Sequence, residues 1–153
     1  MKKIMIVDDN YLSAEGIEKN IDWETLNAEI IHVCYNGTSA IEAMKKEPVD
    51  LIISDIEMPD LDGISMSRQA LEINPMVKII LISAYDKFEY ARRALLLGAL
   101  DYIEKPLDYA YLIQKVKNAF ALMEKEQKNL QLLKQSRPLL TENFPRDHTP
   151  SVF

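Results

Sequence analysis

The stretch LIISDIEMPDLDG (51–63) ends a strand-like apolar run on an aspartate and then turns at once. Leu51, Ile52 and Ile53 form a short continuous apolar segment of the kind that fills the middle of a sheet. Asp55 then stands at the sheet's edge, and Pro59, Asp60, Asp62 and Gly63 supply the turn. A carboxylate there is either an ordinary loop acid or a functional group. The rest of the chain distinguishes the two.

Similar runs recur on both sides: KIMIV (3–7), EIIHVCY (29–35), DLIIS (50–54), VKIILIS (77–83) and ALDYI (99–103). Several are continuous rather than alternating, as in strands buried on both faces. Between them lie YLSAEGIEKNI, GTSAIEAMKKE, GISMSRQALEIN and DKFEYARRALLLG, with apolar residues three and four apart. Asn36 and Asp62 occupy N-cap positions, and Gly98 closes the fourth helix. Five strand–helix alternations predict an α/β fold, a doubly wound five-stranded parallel sheet with helices on both faces. Its ligand site belongs at the carboxyl ends of the strands, near a switch in strand order.

The last helix is longer than the others. From Asp108 no glycine or proline intervenes before Pro138, so the pattern predicts a helix to about Gln135. Leu112, Val116, Ala119, Met123, Leu130 and Leu133 follow a 4-3 spacing that Glu126 breaks once. Such a helix is roughly 40 Å long, more than the domain can cover, and its second half calls for a partner. Residues 1–122 are expected as the domain, 123–137 as a helical extension, and 138–153 as a flexible tail or a linker to a missing output domain.

Composition narrows the function classes. The 153 residues are 48% hydrophobic and 27% charged, which is ordinary for a globular chain. No apolar stretch reaches the roughly 18–20 residues needed to span a bilayer. The opening MKKIMIVDDN reads as a strand rather than a signal peptide, because acid follows the apolar run and no cleavage site is present. One cysteine, Cys34, excludes an internal disulfide framework and suits a cytoplasmic protein. A net charge of −6 argues against this segment gripping nucleic acid by itself.

Asp8 and Asp9 follow the first strand, Asp55 the third, Ser83 ends the fourth and Lys105 follows the fifth. A parallel sheet brings all five to one rim. Clustered carboxylates repel one another, and a hard divalent cation such as Mg2+ relieves that repulsion. Lys105 adds a positive charge suited to a phosphoryl group and Ser83 a hydroxyl donor. A carboxylate, a Mg2+ site, a lysine and a hydroxyl are what phosphoryl transfer onto an aspartate requires.

In this pattern the sequence resembles the receiver domain of two-component response regulators, a CheY-like, flavodoxin-like fold, over residues 1–122. The resemblance is carried by Asp8-Asp9, Asp55, MPDLDG (58–63), Ser83-Ala84 and Lys105-Pro106. It implies Asp55 as phosphoacceptor from a sensor histidine kinase, and Asp8, Asp9, Asp55 and the Glu57 backbone carbonyl as Mg2+ ligands. Lys105 and Ser83 are implied as phosphoryl contacts, with a cis Lys105–Pro106 peptide. The family's Ser/Thr–Tyr switch maps onto Ser83 and Tyr102, reshaping the face of helix four, strand five and helix five. No enzyme turnover is implied beyond the domain's own phosphorylation and dephosphorylation. IDW (21–23) and SAYDKFEYARRALLLGALDYIEKP (83–106) are similar to a subgroup whose receiver precedes an AraC-type DNA-binding domain. DNA binding would then belong to that output domain, and transcription regulation to the whole protein.

Leu95, Leu96 and Leu97 exceed what one helix face buries, so Leu96 is expected exposed, as part of a homodimer contact extended by the last helix. Glu57 and Tyr85 lie two residues beyond Asp55 and Ser83, where the family resemblance implies tuning of acyl-phosphate hydrolysis. His32 and Cys34 lack the further ligands a metal site needs. Trp23 is expected to cap the first helix, and the scattered methionines to fill the core. Three alternatives stand beside this reading. A haloacid-dehalogenase-like phosphatase would place its nucleophile on the first strand. A flavodoxin-like cofactor binder would need a glycine-rich first turn. A stand-alone phosphorelay receiver would have no use for the long last helix.

Overall fold

The computed structural model describes residues 1–84 and 88–143. Ten elements alternate: β1 (Lys2–Val7), α1 (Tyr11–Asn20), β2 (Ala28–Cys34), α2 (Gly37–Lys46) and β3 (Leu51–Asp55), then α3 (Gly63–Ile73), β4 (Lys78–Ser83), α4 (Phe88–Leu97), β5 (Asp101–Glu104) and α5 (Tyr109–Asn143). The five strands form one parallel sheet in the order β2-β1-β3-β4-β5. The fold is the five-stranded parallel sheet expected from the alternation. By contact, the chain divides into two compact units, Met1–Ala119 and Phe120–Phe153.

Burial explains why the strands read as they do. β3 is buried throughout and β1 and β4 nearly so, whereas the edge strands β2 and β5 are partly exposed. Only inner strands need apolar side chains on both faces, hence their unbroken runs. Register pairs Met5 with Ile52, Ile52 with Ile79 and Leu81 with Tyr102. Met5, Ile52, Ile79 and Leu81 pack with Ala40, Ile41, Met44, Ile64, Met66, Ala70 and Ala94 of α2, α3 and α4. Their alternates, including Ile4, Ile6, Leu51, Ile53, Ile80 and Ile82, are buried on the other face.

Caps set the helix boundaries. Asn36 Oδ1 accepts from Ser39 N–H at 2.7 Å and Asp62 Oδ1 from Ser65 N–H at 2.8 Å. Gly98 adopts φ 95° and donates back to Ala94 O, a left-handed close suited to glycine. Trp23 caps α1 as expected: it is buried, and its Nε1 donates to Ile17 O at 3.2 Å. That carbonyl lies in the last turn, where no helical donor reaches it. His32 Nε2 meets Glu47 O at 2.9 Å, and Cys34 is buried.

The last helix differs from the expectation at its end. It continues past Pro138 to Asn143 instead of stopping near Gln135. A proline removes one rung of the ladder and costs about 3 kcal/mol, but does not forbid helix on both sides of it. Leu139, Leu140 and Glu142 are good helix formers, and no glycine follows to end the run. In the first unit, Leu112, Val116 and Ala119 of α5 are fully buried. In the second, Leu130, Leu132 and Leu133 are exposed. Residues 144–153, read from sequence as tail, lie outside the described residues. No helix among the described residues is long and apolar enough to cross a membrane.

Candidate functional site

The strand order reverses direction at β1, which has β2 on one side and β3 on the other. A crevice opens at that point at the carboxyl edge. The last rungs of the sheet hold the residues bordering it. Asp8 N–H donates to Cys34 O at 3.0 Å, Ile56 N–H to Ile82 O at 2.9 Å and Lys105 N–H to Ser83 O at 2.8 Å. The acids and the lysine thus stand on backbone continuous with the sheet rather than on free loops.

Asp8 and Asp55 are buried, at 3% and 7% exposure, and Asp9 is exposed. One oxygen from each of the three lies within 4.8 Å of the others, a cluster that could hold a metal ion. All donors are hard carboxylate oxygens, with no imidazole or thiolate among them, so the set suits a hard divalent cation. Lys105 Nζ stands 3.5 Å from Asp55 Oδ2 and 3.6 Å from Asp8 Oδ2. Burial pushes the Asp55 carboxyl up from its usual 3.8 to about 6; Asp8 and Asp9 add repulsion, and Lys105 pulls the other way. Burial also raises Asp8, against the Asn10 N–H that donates to its Oδ1 at 2.9 Å and against Lys105. Among the described residues, the site is a concentration of negative charge that Lys105 only partly balances.

The loop after Asp55 folds back on it. Gly63 N–H donates to Ile56 O at 2.7 Å, and a β-carbon at Gly63 would collide with the Asp55 carbonyl oxygen. Glycine is required here by close approach, which is the physical content of the MPDLDG turn. Beside the acids a cleft of about 370 Å³ is lined by Asp8, Asn10, Ile17, Ile82, Lys105 and Tyr109, among others. The Lys105–Pro106 peptide is cis.

Ser83 and Tyr102 stand on β4 and β5 toward the carboxyl edge. β4 pairs Leu81 with Tyr102 and Ser83 with Glu104, so alternation puts Ser83, Leu81 and Tyr102 on one face. That face packs on α2, α3 and α4; Tyr102 is half-buried against its core and Ser83 is fully buried. Asp55 pairs with Ile82. The structure gathers Asp8, Asp9, Asp55 and Lys105, and Ser83 ends β4 at the same carboxyl edge, its backbone carbonyl accepting from Lys105 N–H at 2.8 Å.

Three features escaped the sequence. Asn10 caps α1 by accepting from Leu12 and Ser13 N–H while its own N–H holds Asp8. An Asn just before an apolar-periodic run was the available signal. Tyr11 and Tyr35 pack with ring centroids 4.2 Å apart and planes tilted by 51°, and no local pattern predicts such a pair. Tyr90 on α4 donates to Glu57 Oε2 at 3.4 Å. Tyr85 lies outside the described residues.

Residues 4–117 match the response regulator receiver domain family. The chain is 29% identical over 126 residues to the uncharacterized transcriptional regulatory protein YesN of Bacillus subtilis, covering 82% of this chain. It spans only 34% of that relative's length. Among solved structures, the REC domain of AraT, a response regulator from Geobacillus stearothermophilus, is similar with a TM-score of 0.77 and 35% identity. That match covers 82% of this chain and 98% of the other. A chain of the CheX–CheY–BeF3–Mg2+ complex from Borrelia burgdorferi is similar with a TM-score of 0.69 and 29% identity, covering 78% and 89%.

Proposed function

The chain belongs to the response regulator receiver domain family, and we propose that it takes a phosphoryl group from a sensor histidine kinase onto Asp55. The observation that carries this reading is the buried Asp55 carboxylate, ringed by Asp8 and Asp9 and 3.5 Å from Lys105. An Asp55 oxygen attacks phosphorus as the bond from phosphorus to the donor's nitrogen breaks, giving an aspartyl phosphate. Lys105 faces the charge that collects on the transferred oxygens. Asp8, Asp9, Asp55 and the Glu57 backbone carbonyl would hold Mg2+, which supplies further neutralisation of that charge. The Mg2+ named with the Borrelia relative supports this choice of metal.

The signal then passes from Asp55 to Ser83 and Tyr102. Ser83 is drawn toward the new phosphoryl group, and Tyr102, on the same face, turns into the space it leaves. The reshaped surface of α4, β5 and α5 forms a homodimer, with Leu96 in the contact and the long last helix extending it. In the full protein an AraC-type DNA-binding domain follows, and its pairing on DNA is what phosphorylation controls. The transcriptional regulatory role printed for YesN and the partial span of this chain on it support that reading. The protein works in the cytoplasm, where its kinase presents the phosphoryl donor.

The test is intact mass after incubation with Mg2+ and acetyl phosphate. A single acid-labile adduct on wild type and none on Asp55→Asn is expected. Equal labelling of the two proteins would overturn the assignment.

A further inference from the structure

Tyr90 and Glu57 are separated by 33 positions in the chain, and the hydroxyl of the one donates to Oε2 of the other at 3.4 Å. Tyr90 is half-buried against the core beneath α4, and Glu57 is half-buried in the loop after Asp55. The bond therefore ties a helix to the acceptor loop two residues beyond the acceptor. The Glu57 carboxylate stands outside the cluster formed by Asp8, Asp9 and Asp55. A glutamate side chain has three rotatable bonds, so without a tether this carboxylate can sweep the space around the acceptor.

We propose that Tyr90 is a positioning residue that holds the Glu57 carboxylate to α4 and away from the phosphoryl group, and so sets how long the aspartyl phosphate survives. The inference rests on the acceptor role of Asp55. In hydrolysis a water oxygen attacks phosphorus, the bond from phosphorus to the Asp55 oxygen breaks, and aspartate and inorganic phosphate result. The water's proton must go to a base, and a released Glu57 carboxylate can take it and pass it to solvent. Held by Tyr90, the same carboxylate is out of reach. α4 thereby restrains the loss of the signal that its own outer surface displays.

The experiment compares wild type, Tyr90→Phe, Glu57→Ala and the double variant. Each is phosphorylated with acetyl phosphate and Mg2+, freed of donor, and followed by intact mass as the adduct decays. Tyr90→Phe keeps the ring and its packing and removes only the hydroxyl. It is expected to lose the adduct about fivefold faster, the scale on which one ordinary hydrogen bond moves a rate. In the Glu57→Ala background the same change is expected to have no effect, because nothing remains to be held. Decay of Tyr90→Phe at the wild-type rate or slower would overturn the inference, as would equal acceleration in both backgrounds. Absence of any adduct on wild type overturns the acceptor reading and this inference with it. An adduct whose decay ignores Tyr90 overturns this inference alone.

Discussion

Lys105 Nζ lies 3.5 Å from Asp55 Oδ2, and the same ammonium lies 3.6 Å from Asp8 Oδ2. One cation is thus shared between two buried carboxylates, with Asp9 at the mouth of the cluster. The arrangement leaves the domain with an uncompensated charge cost that a metal ion or a transferred phosphoryl group with its metal would relieve.

That cost makes stability depend on pH. Asp55 is raised to about 6, so between 3.8 and 6 the folded chain keeps a proton that the unfolded chain has lost. The contribution is full below the unfolded value and is lost as pH rises through about 6. Its size is at most about 3 kcal/mol. Thermal melts in EDTA between pH 4.5 and 7.5 should therefore show Asp55→Asn gaining on wild type as pH rises. A constant difference between the two proteins would contradict the raised acid, and Mg2+ should shrink the difference near neutrality.

Gly63 has no room for a side chain. A β-carbon there meets the Asp55 carbonyl oxygen and crowds the Ile56 backbone at 2.9 Å. Gly63→Ala must shift backbone at Asp55 itself, at a cost of about 2 kcal/mol or more. Urea unfolding should show a lower midpoint, and adduct formation should fall with it. An unchanged midpoint would show that the loop closes differently.

Ser67 Oγ is buried with no hydrogen-bond partner among the described residues. Its hydroxyl was desolvated without compensation, so Ser67→Ala should leave stability unchanged or raise it by about 1 kcal/mol. A melting temperature several degrees lower would mean that the hydroxyl has a partner after all.

Leu95 and Leu96 are 75% and 73% exposed on α4, while Leu97 packs toward the core. Two exposed leucines, rather than the one expected, widen the apolar surface available to a second copy. Leu96→Glu should weaken the proposed phosphorylation-dependent dimer about tenfold or more, the scale of losing a contact residue. Light scattering across a concentration series measures this, and an unchanged dimer affinity would remove α4 from the interface.

The fold was legible because its signals are local. Unbroken apolar runs marked β1, β3 and β4, and Asn36, Asp62 and Gly98 marked helix ends through their own hydrogen bonds. The cluster of Asp8, Asp9, Asp55 and Lys105 was legible because a parallel sheet sends every strand's carboxyl end the same way. Which face a residue takes depends on register, which no single strand carries. The bond from Tyr90 to Glu57 joins residues 33 apart and follows from where α4 settles on the sheet. The passage of α5 through Pro138 reflects a helix strong enough on both sides to tolerate one lost rung.

The most direct test of the account is chemical mapping of the acceptor. Borohydride reduces an acyl phosphate to an alcohol, converting a phosphorylated aspartate to homoserine. The domain is phosphorylated with Mg2+ and acetyl phosphate, reduced, digested and sequenced by mass spectrometry. The account predicts homoserine at position 55 alone. Homoserine at position 8 or 9, or at none of the three, would contradict it.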